Sequence, residues 1–136
     1  METLVKNSTT ASAMYEAFLK GDIPTILATL NPEVKWVIMG KPTIPFAGTY
    51  NGIAEVTEFF KHLASVFTFT LFRVEHVVDA SENYVIATGY YEFVANSTGK
   101  AAQSIWAMTM EFDEQGKLKE LHDIYDTQAG ANTLNS

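Results

Sequence analysis

Residues 18–36 read F-L-K-G-D-I-P-T-I-L-A-T-L-N-P-E-V-K-W, and the punctuation of this stretch decides the fold. Gly21 stops one helix, because glycine readily takes the left-handed conformation that closes a helix C-terminus. Asp22 offers its carboxylate as a cap to a second, short helix with Pro24 in the first turn. Ile23, Ile26, Leu27 and Leu30 form the buried side of that helix, and Asn31-Pro32 ends it. Val34–Met39 then reads as a short strand bearing Trp36.

On the N-terminal side, Ser8–Lys20 has helical spacing. Ser8, Thr9 and Thr10 offer N-caps, and Ala11, Met14, Phe18 with Tyr15 and Leu19 make an apolar stripe. On the C-terminal side, Gly40–Tyr50 contains Pro42, Pro45 and Gly48 and is expected to be irregular or only briefly extended. Asn51-Gly52 turns into a third helix whose stripe is Ile53, Val56, Phe59, Phe60 and Leu63.

The remainder reads as sheet. Thr68–Asp79, Asn83–Ala95, Lys100–Phe112 and Leu118–Asp126 are β-branched and aromatic, with short turns between them. Consecutive strands joined by tight turns are antiparallel neighbours. Helices first and a strand meander afterwards predict an α+β fold with the helices on one sheet face. In the third long strand, Ala102, Ser104, Trp106, Met108, Met110 and Phe112 share a face. Ile105 and Ala107 make the other face apolar too, which points to partial cover by a second subunit. Residues 127–136 are small and polar, and are expected to fray.

The last strand, L-K-E-L-H-D-I-Y-D over 118–126, holds the candidate chemistry. Strand side chains alternate with period two. Leu121, Asp123 and Tyr125 therefore share one face, and Leu118, Glu120, His122, Ile124 and Asp126 the other. If the first face looks into a pocket, Asp123 is a carboxylate among apolar groups, and desolvation raises its pKa into the range useful to a general acid or base. A one-residue slip would make His122 and Asp126 the candidates instead. The bland alternative is that Asp123 bonds backbone, a tyrosine or water, and only satisfies a polar strand end. His62 reads as solvated, His76 as semi-buried beside Phe72, Val74 and Val78, and Asp126 as a structural cap. The three histidines lack metal-site spacing, so no metal is expected.

At 136 residues the chain is long enough for a single domain with a sizeable core. Its nine Phe, six Tyr and two Trp, against 18% charged residues, favour a filled interior. A net charge of −7 with scattered basic residues argues against nucleic acid and against anionic membrane as partners. The absence of cysteine excludes disulfides, thiol catalysis and thiolate metal sites. M-E-T-L-V-K-N-S-T-T has no apolar core of signal-peptide length, so a cytoplasmic location is expected.

The block quoted above, then P-F-A-G-T-Y-N-G-I-A-E-V-T-E-F-F at 45–60, then a meander closing on I-Y-D-T at 124–127, resembles the SnoaL-like polyketide cyclases and ketosteroid-isomerase-related proteins of the nuclear transport factor 2-like superfamily. The resemblance spans about residues 10–128, with a tail at 129–136, in one domain covering 1–136. It implies a cone: a curved antiparallel sheet wrapped around three N-terminal helices and enclosing a pocket, often dimeric through the outer sheet face. It also implies pocket-facing positions for Met14, Trp36, Phe60, Trp106, Met108, Leu121, Asp123 and Tyr125. The positions matching the polar site of ketosteroid isomerase are occupied by Trp36, Met14 (with Tyr15 next to it), Met108 and Phe60, so that enzyme's mechanism is not expected.

Two functions follow as expectations. One is a cofactor-independent cyclase, isomerase or dehydratase on an apolar carbonyl compound. There Asp123 moves the proton, Tyr15 or Tyr125 supports the developing oxyanion, and Met14, Trp36, Phe60, Trp106, Met108 and Leu121 line the ligand site. The other is a non-catalytic homodimeric module that binds an apolar small molecule. A third possibility is a protein-interaction domain using the outer sheet face.

Overall fold

The computed structural model describes residues 6–135. Residues 1–5 and 136, which include the start of the segment read for a leader and the end of the tail, lie outside them. Three helices, α1 (Asn7–Leu19), α2 (Ile23–Ala28) and α3 (Gly52–Val66), pack on a six-stranded sheet. Its strands are β1 (Leu30–Ile38), β2 (Gly48–Asn51), β3 (Phe67–Ser81), β4 (Tyr84–Ala95), β5 (Ala101–Phe112) and β6 (Leu118–Tyr125). A final helix, α4 (Thr127–Leu134), follows.

The punctuation of residues 18–36 works as the chemistry requires. Gly21 has φ 72°, its N–H donates to the Phe18 carbonyl, and the Asp22 N–H reaches back to Ala17 at 2.8 Å. These two bonds close α1 with a left-handed C-terminal turn. The Asp22 carboxylate accepts from the Thr25 N–H and caps α2. Two local expectations are corrected. The N-cap of α1 is Lys6, without a side-chain cap. Ser8 instead gives its N–H to the Asp79 carboxylate at 3.1 Å, so the helix N-terminus is satisfied by an acid at the far end of β3. Helix α2 ends at Ala28, and β1 begins before Asn31-Pro32. Pro32 falls in the stretch where pairing with β6 is interrupted, the place where a missing N–H costs no ladder bond.

The strand order is β2-β1-β6-β5-β4-β3. The meander β3-β4-β5-β6 is antiparallel throughout. The expectation of a wholly antiparallel sheet is corrected at one seam, because β1 pairs with β6 in parallel. No short turn joins these two strands, so none imposes antiparallel direction. Part of the loop after β1 is also a strand: β2 pairs antiparallel with β1.

Bulges set the phase of the strands and curve the sheet. In β3 the register shifts between Phe69 and Leu71 and again between Val74 and His76. Each inserted residue resets the alternation, so Phe67 and Phe69, then Phe72 and Val74, then Val77 pack inward. His76 and Val78 are consequently exposed, against the alternation read from sequence. A further irregularity between Glu111 and Phe112 pairs Phe112 with Leu118 while Glu111 pairs with Glu120. Leu118 is thereby turned into the core rather than onto the face of Glu120 and His122.

The expected frayed tail is also corrected. Residues 127–134 form α4, with the Asp126 carboxylate accepting the Ala129 N–H at 3.0 Å. Gly130 and Thr133 are buried, and the Thr98 hydroxyl bonds the Thr133 carbonyl. No helix among the described residues is long and apolar enough to cross a membrane.

Candidate functional site

The inner face of the sheet is best described as rows across strands. One row runs Trp36 (β1), Leu121 (β6), Met110 (β5) and Val85 (β4). The next runs Ile38, Asp123, Met108 and Ala87. The third runs Tyr125, Trp106 and Gly89. Asp123 thus stands mid-sheet between Ile38 and Met108, neither of which can donate a hydrogen bond to it.

Above these rows, α1 contributes Met14, Tyr15 and Phe18, and α3 contributes Phe59, Phe60 and Leu63. Together with the sheet they enclose a cavity of about 80 Å³ open to the centres of water molecules. A single water needs roughly 10–15 Å³ on that measure, so the interior is not filled. Met14, Tyr15, Trp36, Phe60, Met108, Leu121, Asp123 and Tyr125 all border the cavity. Trp106 does not. It lies behind the wall, 5.3 Å from the Tyr15 ring and stacked near Tyr91.

Gly89 explains the position of Trp106. A Cβ there would stand 2.0 Å from the Arg73 carbonyl oxygen and 2.5 Å from the Trp106 ring. The indole lies flat on β4 only because residue 89 has no side chain.

The electrostatics follow from burial. Asp123 lines the cavity, and its Oδ1 is buried without a hydrogen-bond partner among the described residues. Desolvation pushes its pKa up to about 7. The hydroxyls of Tyr15, Tyr91 and Tyr125 are raised well above the ordinary phenol value, first by burial and then by the nearby Asp123 charge. All three remain protonated donors at neutral pH. Tyr15 donates to the Met108 sulfur at 3.1 Å. Among the described residues, the Tyr125 hydroxyl and the indole N–H groups of Trp36 and Trp106 have no partner. A buried unpaired polar group costs roughly 1–3 kcal/mol, so the Asp123 oxygen, the Tyr125 hydroxyl and the Trp36 N–H mark the part of the core least suited to being empty.

Tyr91 is the member of this group that the sequence reading missed. Its signal was the inward alternation Val85, Ala87, Gly89, Tyr91, Phe93 on β4, where an aromatic hydroxyl falls opposite Ser104. His122 faces outward and bonds Glu120 at 2.7 Å, and His62 is exposed at the rim of Phe46. Asp126 caps α4 and gives its N–H to the Ser104 hydroxyl. Among the described residues, no three of His, Asp and Glu converge to hold a metal ion.

Known structures repeat this architecture. A nuclear transport factor 2-like protein from Burkholderia thailandensis E264 superposes with a TM-score of 0.88 at 24% identity, over 98% of this chain and 100% of that one. TerC, crystallised with polyporic acid, gives 0.83 at 25% identity over 96% and 98%. A candidate polyketide cyclase from Pseudomonas putida KT2440 gives 0.78 at 15% identity over 97% and 100%. No protein of curated function matches the chain in sequence. The fold is that of the nuclear transport factor 2-like proteins, and residues 11–121 match the family model of the SnoaL-like domain, so the chain belongs to that family.

Proposed function

We propose that the protein is a cofactor-independent cyclase, isomerase or dehydratase acting on an apolar small molecule with a carbonyl group, and that Asp123 transfers the proton. The observation that carries this reading is the buried Asp123 oxygen in the cavity wall, to which no described residue donates a hydrogen bond. A carboxyl with a pKa of about 7 is present in both forms at neutral pH, which suits a group that takes a proton from carbon and returns it elsewhere. Tyr15 and Tyr125, held protonated, would donate to the oxygen on which charge develops. Met14, Trp36, Phe60, Met108 and Leu121 would hold the ligand through apolar contact, with Trp106 backing the wall. TerC lends a ligand to begin with, polyporic acid, and the Pseudomonas protein lends the cyclase class.

The test is a carboxyl-carbon NMR titration of Asp123 against Asp123→Asn, followed by turnover assays on polyporic acid and polyketide-type carbonyl compounds. A midpoint near 7 and activity lost in Asp123→Asn support the reading. An ordinary midpoint, with ligand affinity unchanged in Asp123→Asn, would replace it with the non-catalytic binding module, which the otherwise apolar wall favours.

In either case we propose a homodimer through the outer sheet face. Ile105 is 77% exposed there, and its cross-strand and same-face neighbours Tyr90, Ala107 and Ile124 extend the patch. Sedimentation of wild type and Ile105→Lys checks it: a dimer that becomes a folded monomer is expected, and a monomeric wild type refutes it.

A further inference from the structure

The groups that the cavity presents are of one electrostatic sign. Trp36 and Tyr125 border it, but the indole N–H and the phenol hydroxyl have no accessible surface. What these two residues show to the cavity is therefore ring. Phe18, Phe59, Phe60 and Phe72 add further rings. Neighbours among them meet at steep angles: 55° for Phe18 on Phe72, 61° for Phe59 on Phe60 and 63° for Trp36 on Phe60. Rings set so steeply cannot all turn edge-on to the same space, so some faces look inward, and an aromatic face is negative. The Tyr15 hydroxyl is turned to the Met108 sulfur. Asp123 stands mid-sheet under the helices yet is only half-buried, so the surface it keeps opens into the cavity. Among the residues that border the cavity, Asp123 is the one acid, and none is Lys, Arg or His.

We propose that this cavity binds a small organic cation whose charge is spread over methyl groups, a quaternary ammonium or an N-methylated amine, with Asp123 as its counter-ion and the surrounding rings as a cation–π box. Methylation matters because the ion must leave water, and a cation without N–H groups gives up no hydrogen bonds on entry. The net charge of −7 draws cations toward the chain. This inference rests on the reading of the cavity as a ligand site, but not on Asp123 moving a proton. The two readings make rival demands on the wall. Proton transfer on a carbonyl compound needs the Tyr125 hydroxyl to turn inward, whereas a cation takes the wall as it stands and holds Asp123 ionised.

The probes are choline and 3,3-dimethyl-1-butanol, which share one shape and differ by carbon in place of charged nitrogen. At pH 8, calorimetry should find choline bound about tenfold more tightly than the alcohol. Only the ionised carboxylate attracts the cation, and the fold holds Asp123 protonated up to about pH 7. Choline affinity should therefore rise about a hundredfold between pH 5 and pH 8, while the alcohol changes by less than about twofold. The other titratable groups around Asp123 are Tyr15 on α1, Tyr91 on β4 and Tyr125 on β6, and all three keep their protons throughout that range. Asp123→Asn should weaken choline at pH 8 about tenfold or more and leave the alcohol within about twofold.

Alcohol bound as tightly as choline, choline affinity that ignores pH, or choline binding that survives Asp123→Asn would overturn the proposal. So would the absence of choline binding. The comparison of probes and the pH profile use wild type alone, so the question is answered even if the variant fails to fold. Turnover of a carbonyl compound without choline binding would sink this proposal and leave the catalytic reading standing. Choline binding on these terms, with no turnover of any carbonyl compound, would do the reverse.

Discussion

The Tyr15 hydroxyl donates to the sulfur of Met108 at 3.1 Å, and Met108 is the residue directly across from Asp123 in the sheet. The first helix is thereby tied to the row that holds the carboxyl. Thioether sulfur is a weak acceptor, so Tyr15 is held in place and still free to exchange that bond for a ligand oxygen. Met108→Leu keeps the volume and deletes the acceptor. Stability in urea should fall by about 1 kcal/mol. Tyr15→Phe added to that variant should cost less than it does alone, since the bond it would remove is already gone.

The raised Asp123 pKa makes the stability of the protein depend on pH. In the unfolded chain the carboxyl releases its proton near the ordinary value of 3.8, whereas in the fold it keeps it up to about 7. Between those values the folded state binds the extra proton, so stability is greatest on the acid side and falls as pH rises through 7. The fall should be on the order of 4 kcal/mol. Urea unfolding of wild type and Asp123→Asn across this range measures it. The variant, which cannot titrate there, should lose the slope.

Gly89→Ala should be among the most damaging single methyl additions in the sheet. The new Cβ would meet both the Trp106 ring and the Arg73 carbonyl oxygen. A side chain can yield, but the strand backbone beside it cannot without breaking the ladder. We expect a loss of about 3 kcal/mol or more. Trp106→Phe in the same chain should not restore it, because the carbonyl clash remains. Thermal unfolding of the single and double variants decides the point.

Asp126→Ala removes the side-chain cap of α4. About 1 kcal/mol of helix stability should go. Amide exchange should quicken at residues 127–134 and stay unchanged in β5 and β6. Equal acceleration everywhere would mean that α4 is part of the global folding unit.

The first three helices were legible because their signals are local. The Gly21-Asp22 stop and cap, and the stripe of Ile53, Val56, Phe59 and Phe60, need no knowledge of the rest of the chain. The four-strand meander was legible for the same reason, through its turns. What stayed hidden was non-local or depended on phase. The parallel seam joins β1 to β6 across most of the sequence, and nothing in either strand announces the other. The bulges in β3 reset the alternation without a glycine or proline to mark them, which is why His76 was misplaced. Helix α4 lacks a strong apolar stripe and contains Gly130, so Asp126-Thr127 read as a strand end rather than a helix start. At the site, Asp123 was found by alternation alone, while the orphaned state of the Trp36 and Tyr125 donors depends on what every neighbour fails to offer.

The place of β6 in the sheet also has a consequence for biosynthesis. The last strand to be made is inserted between β1, one of the first, and β5. Until residues 118–125 leave the ribosome, both neighbours present open backbone edges and the row across Trp36, Leu121 and Met110 does not exist. Truncated nascent chains of this protein should therefore be chaperone clients prone to edge-to-edge association. The strand that closes the sheet is also the one that carries the carboxyl, so the chain cannot finish folding without acquiring Asp123 in the same step.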